Sequence, residues 1–188
     1  MYSKKTSYLH SINKRIVQKE IFSNLKKRKL YKVIGLGGPN ITDYLSLLHD
    51  FKIVQAEIYE YDISKIALQL QNYKPIIESE VIYGDVLYAE PNKSNTFYDL
   101  DFCCSIKNAA KHIKKFTNNV CYTLSIRPVG LEKTIKQFSK LVDSTKNPVF
   151  TLIKSNSEYK FYSLKTDTKK YDCYVYRDTT PMLTIYSI

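Results

Sequence analysis

The chain has 188 residues, 44% of them apolar and 25% charged, which describes a folded globule large enough to bury a core without disulfides or metal. No run of about 18 apolar residues occurs, which excludes a membrane-spanning helix, and the lysine-rich start lacks the apolar core of a secretory signal, so a cytoplasmic protein is expected. A net charge of +11 points instead to an anionic partner.

That charge is unevenly spread. Residues 1–32 carry ten basic residues against Glu20 alone, or +9, and the rest of the chain contributes only +2. A concentrated basic segment holds phosphates by counterion release, so nucleic acid is the first partner to consider; a solvated lysine face is the competing reading. Leu9, Ile12, Ile16, Val17, Ile21 and Leu25 recur at helical spacing and predict an amphipathic helix over about 7–27, docked by its apolar face on the body or on a protein partner. Lys26, Lys27, Arg28 and Lys29 follow as candidate polymer contacts. The expected division is a basic helical extension over 1–28 and an α/β domain over 29–188.

The next segment, Tyr31 to Asn40, is an apolar strand that breaks into Gly35, Gly37 and Gly38 before a patterned helix. Glycines at such a junction let the backbone turn sharply and approach a ligand closely. Asn40 is placed to cap the helix with Asp43 three residues on, and Ile41, Tyr44, Leu45 and Leu48 share one face. A second strand, 53–60, ends in Glu60 and Asp62, where an acid can accept bonds from ribose hydroxyls; either acid can instead cap the helix predicted over 63–73. Strands over 80–84 and 97–104, a helix over 106–116, a strand over 119–126 and a helix over 130–143 continue the alternation. Alternation of this kind predicts an α/β fold, a Rossmann-like, mostly parallel sheet with helices on both faces.

The last third changes character. Phe150–Lys154, Lys160–Lys165, Cys173–Arg177 and Met182–Tyr186 read as strands without a helix between them, and an antiparallel hairpin is expected to close one edge of the sheet. Cys103, Cys104, Cys121 and Cys173 show no paired metal spacing and read as small buried residues, and with three unclustered histidines no metal site is expected. Tyr31, Tyr83, Tyr88, Tyr98 and Tyr122 invite a base-stacking reading, against the plainer one of half-buried strand residues.

A parallel α/β sheet finished by an antiparallel hairpin resembles the class I S-adenosylmethionine-dependent methyltransferases, over about residues 30–188. The glycine turn Gly35-Leu36-Gly37-Gly38-Pro39 stands at that family's cofactor motif, Glu60 or Asp62 at its ribose-binding acid, and Asp85 of Gly84-Asp85-Val86 at the acid that meets the adenine amino group. Tyr98 to Ser105 stands at the strand leading into the reaction site, which implies that Asp101 orients the acceptor; Arg127, after the next predicted strand, is a candidate phosphate contact. The usual acid beside the glycine motif is missing, and Asp101-Phe102-Cys103-Cys104-Ser105 lacks the prolines of amino methyltransferases. This variant faintly resembles methyltransferase-like proteins of phages and mobile elements. The resemblance implies a methyltransferase acting on RNA or DNA with S-adenosylmethionine as cofactor. The alternative is a non-catalytic relative that binds nucleic acid or a partner subunit. A nicotinamide-dependent reductase is disfavoured, because Gly35-Leu36-Gly37-Gly38-Pro39-Asn40 lacks the third fingerprint glycine.

Overall fold

The computed structural model describes residues 11–25, 30–36, 41–61, 64, 67, 77–102, 104–127, 129–177 and 180–187. Helix α1 (Ser11–Leu25) leads into β1 (Lys32–Leu36), α2 (Ile41–Asp50), β2 (Gln55–Glu60) and β3 (Glu78–Tyr83). A short 3-10 turn (Val86–Tyr88) precedes β4 (Thr96–Asp101), α3 (Ile106–Lys115), β5 (Val120–Ser125) and α4 (Leu131–Asp143). Four strands complete the chain: β6 (Val149–Ser155), β7 (Tyr159–Lys165), β8 (Lys170–Arg177) and β9 (Pro181–Ser187). The helix expected over 63–73 falls almost entirely outside the described residues. None of the described helices is long and apolar enough to cross a membrane.

All nine strands form one sheet in the order β3-β2-β1-β4-β5-β9-β8-β7-β6. The first five are mutually parallel. From β5 onward every pairing is antiparallel, so the sheet is parallel in one half only and not for the most part. The expected terminal hairpin is β8 with β9, yet it does not close an edge. Strand β9 lies inside the sheet against β5, buried from Met182 to Ser187, and the outer strand is β6. A strand covered on both faces reads as a continuous apolar run, as Met182-Leu183-Thr184-Ile185-Tyr186 does, while β6 is exposed along nearly its whole length. Its bulge between Leu152 and Lys154 interrupts the register with β7.

Alternation along the parallel strands divides the core in two. Val33, Phe97 and Cys121 join α1 and α2 in one cluster, whereas Ile34, Tyr98, Tyr122 and Leu124 join α3 and α4 in the other. Helix α1 enters the first cluster through Val17, Ile21, Phe22 and Leu25. The expected stripe is rotated in one respect, since Ile12 is exposed and Phe22 takes a core position, stacked on Phe51 and edge-on to Phe97.

Asp143 ends α4 and accepts bonds from the Thr168 amide (3.1 Å) and hydroxyl (2.7 Å) and the Thr145 amide (3.2 Å), tying the helix to the β7–β8 turn. Burial opposes ionisation, but the bonds from Thr145, Thr166 and Thr168 outweigh it and hold this carboxyl well below the usual carboxylate range. A depressed folded-state value means stabilisation present above the unfolded carboxylate pKa and lost as pH falls toward the folded one. Asp143→Asn is therefore expected to lower the unfolding free energy by about 1–2 kcal/mol near neutrality. In denaturant titrations the gap to the parent protein should shrink on the acid side; a gap independent of pH would sink this account.

Candidate active site

In a parallel sheet the chain leaves every strand on the same side, and ligands bind at that carboxyl edge where the strand order reverses. The reversal here lies at β1, with β2 on one side and β4 on the other. Gly35 of β1 pairs with Ile58 of β2 and with Asp99 of β4. It is an interior strand residue, and its missing Cβ leaves room for the Tyr44 hydroxyl of α2, which would lie 3.2 Å from such an atom. That hydroxyl donates to the Asp99 carboxylate at 2.7 Å. Burial pushes the Asp99 carboxyl up, with the Tyr44 bond, Lys14 and Cys121 pulling it back. Asp99, which shares its strand face with Asp101, thus serves a side chain of α2.

The remaining predicted residues lie along this edge. Glu60 is the last residue of β2, and one of its carboxylate oxygens accepts the Tyr61 amide at 2.8 Å. Gly84, at φ +135°, turns the chain out of β3 in a conformation that favours glycine. Asp85 follows and does two structural jobs: it caps the 3-10 turn through the Leu87 amide (2.9 Å) and meets His112 Nε2 at 2.8 Å. Burial pushes the Asp85 carboxyl up, but the Leu87 amide and His112 more than offset it, so the group sits below its ordinary value. Asp101 closes β4 and forms an ion pair with Lys14 of α1. Arg127 stands just past β5, its backbone amide on the Ser125 hydroxyl.

Across the sheet, the strand order sets Asp85, Glu60, Asp101 and Arg127 at or just past the ends of β3, β2, β4 and β5, respectively, with Gly35 one residue inside the end of β1. Gly37, Gly38, Asp62 and Lys26, Lys27, Arg28 and Lys29 lie outside the described residues. Of the tyrosines considered for stacking, Tyr98 and Tyr122 are core residues, whereas Tyr83 and Tyr88 are 68% and 84% exposed. Tyr61 and Tyr83 meet edge-to-face, with ring centroids 5.9 Å apart.

At the level of sequence, no family model and no curated protein matches the chain. Solved structures of methyltransferases align with the chain. The methyltransferase CalO6 aligns over 96% of this chain and 66% of its own length, with a TM-score of 0.51 and 9% identity. The S-adenosylmethionine-dependent methyltransferase SibL aligns over 94% of this chain and 54% of its own, at 0.50 and 6%. The mitomycin 7-O-methyltransferase MmcR gives 94%, 56%, 0.50 and 9%. The chain has the methyltransferase fold. It spans between about half and two thirds of the length of these neighbours.

Within the methyltransferase fold, three side chains at the carboxyl edge escaped the reading of the sequence as site residues. Lys14, counted there only as basic charge, holds Asp101; Tyr44, assigned to an apolar face, holds Asp99; His112, noted only as an unclustered histidine, holds Asp85. Each partner is distant in sequence, and no local pattern announces it. The His112 ring packs on Phe102 at 4.5 Å between centroids, which fixes the imidazole beside the Asp85 turn.

Proposed function

We propose that this protein is an S-adenosylmethionine-dependent methyltransferase acting on nucleic acid. The observation that carries the reading is the row of carboxylates Asp85, Glu60 and Asp101 at or beside the ends of β3, β2 and β4, around the strand-order reversal of a methyltransferase fold. The acids suit the cofactor: the Glu60 carboxylate would accept ribose hydroxyls, and the Asp85 carboxylate would accept an N–H of the adenine amino group. When bound, the cofactor supplies a methyl group already activated on a sulfonium. The chain's own part is alignment. Asp101 would accept an N–H of the acceptor amine and aim the amine's lone pair, and Gly35, Gly37 and Gly38 are proposed as cofactor-binding positions. Lys26, Lys27, Arg28, Lys29 and Arg127 are proposed polymer contacts, and the buried free thiols of Cys121 and Cys173 suit the reducing cytoplasm.

A second reading keeps the fold and drops the catalysis. One contact favours it: Lys14 already occupies the Asp101 carboxylate. Calorimetric titration with S-adenosylmethionine, S-adenosylhomocysteine and NADH separates the two. Saturable binding of the first two is expected, weakened about tenfold or more in Glu60→Ala by loss of a charge-assisted bond pair. A folded protein that binds none of the three would leave the binding-protein reading.

A further inference from the structure

We propose that the exposed faces of α3 and α4 hold the phosphate backbone of a nucleic acid, with Tyr88 stacking on one of its bases. The proposal takes from the functional reading only its polymeric substrate. On α3, Lys107, Lys111 and Lys114 follow the i, i+4, i+7 spacing of one helical face and are exposed, while Ile106, Ala109 and Ile113 face the core. On α4, Lys133, Lys136 and Lys140 repeat the arrangement opposite Ile135 and Phe138. The two helices pack on the same apolar cluster and against each other, so both lysine rows lie side by side on one side of the sheet.

Together α3 and α4 contain seven lysines against Glu132 and Asp143, and the Asp143 carboxylate is engaged by threonines. None of the six exposed lysines forms a salt bridge among the described residues. Like charges at i, i+4 destabilise a helix by a few tenths of a kcal/mol per pair, and of the six only Lys114 and Lys140, in the last turns, gain from the helix dipole. Each row extends about 10 Å along its helix and the axes of packed helices lie about 8–10 Å apart, a patch wide enough for several phosphates.

The patch adjoins the candidate active site. Lys115 donates to the Leu87 carbonyl and so ties α3 to the turn that carries Tyr88, whose ring lies 3.7 Å from where a Cβ on Gly84 would stand. Lys111 is near enough to Asp85 to favour its ionised form. An exposed tyrosine beside a lysine field suits unpaired bases, which offer flat rings; a lipid headgroup or an acidic peptide segment offers charge without them.

The test is fluorescence anisotropy with labelled single-stranded RNA and DNA over a range of salt. The triple variants are Lys107→Glu/Lys111→Glu/Lys114→Glu and Lys133→Glu/Lys136→Glu/Lys140→Glu. A control with the same change of charge, Lys154→Glu/Lys160→Glu/Lys165→Glu, alters exposed positions on β6 and β7. Glutamine versions guard against misfolding, which circular dichroism checks. Each α3 or α4 triple is expected to weaken binding at least about tenfold and to reduce the salt slope by about 2, as loss of three phosphate contacts on a single strand predicts. Tyr88→Ala should weaken binding about tenfold with the slope unchanged.

Equal weakening by the control, no weakening by the α3 and α4 triples, or loss confined to neutralisation of Lys26, Lys27, Arg28 and Lys29 would overturn the proposal. So would binding to phosphatidylserine vesicles without binding to either oligonucleotide. Calorimetry with S-adenosylmethionine on the same proteins keeps the two readings apart. Lysine-dependent RNA binding without cofactor binding supports this surface and ends the methyltransferase reading.

Discussion

Asp101→Asn is expected to reduce methyl transfer by about a hundredfold or more while leaving the affinity for S-adenosylmethionine close to that of the parent protein. The substitution keeps the shape of the side chain and one accepting oxygen but removes the charge and turns the other oxygen into an N–H donor, so the positive charge that develops on the acceptor amine in the transition state loses the carboxylate that offsets it; loss of one preorganised electrostatic contact costs on the order of 10²–10³ in rate. Asp101 is suited to this because it closes β4 beside the strand-order reversal, with its side chain partly buried and directed to α1. Its ion pair with Lys14 gives the alternative a clear signature. A merely structural pair would make Asp101→Asn and Lys14→Met lose similar stability, about 1 kcal/mol for a partly exposed bridge, and leave turnover unchanged in both. A catalytic carboxylate separates them: Asp101→Asn loses turnover, and Lys14→Met retains a carboxylate to offer the acceptor. Stability, cofactor affinity and rate measured on both variants decide which holds.

Phe22→Ala is expected to destabilise the protein by about 3–5 kcal/mol, the usual consequence of emptying a buried phenylalanine site. Phe22 is 1% exposed, its ring 5.8 Å from Phe51 in a stacked arrangement and 6.0 Å from Phe97 at a steep angle. Those neighbours belong to the α2–β2 connection and to β4, so the cavity would open between α1 and the parallel sheet. For a chain of this size the loss corresponds to a fall in Tm on the order of 10 °C. A change below about 1 kcal/mol, within the range of ordinary surface substitutions, would mean that α1 contributes little to the core. The variant also bears on the site, because α1 carries Lys14 to Asp101 and Arg15 to within 3.9 Å of Asp43.

Local pattern carried most of the strands and helices. In α3, β5 and α4 the apolar spacing alone brings the predicted bounds within about a residue of those observed, since each buries one face or both and the period records it. Strand β4 stops at Asp101, three residues short of expectation, because the apolar side chains of Phe102 and Cys104 are satisfied by packing on the α3–α4 cluster outside the strand. Pairing in the second half was less legible. A strand's own sequence states whether its faces are buried but not which neighbour buries them, and the insertion of β9 between β5 and β8 follows from its doubly buried run only once the sheet is assembled.

What the sequence by itself determined is the α/β alternation and the order of acids and glycines along the chain, because both are recorded in short-range periodicity and turn chemistry. From that order came Glu60, Asp85 and Asp101 as residues at or just past strand ends, and chain direction in a parallel sheet sends such residues to a common edge. Only the tertiary structure decided their partners. Lys14 on Asp101, Tyr44 on Asp99 and His112 on Asp85 join elements up to 87 residues apart, through contacts that depend on helix placement rather than on spacing. Charge tells the same lesson. Summed along the chain, the excess falls at the N-terminus; folded, six lysines from two separate helices meet on one surface, because packing two amphipathic helices side by side turns their polar faces outward together.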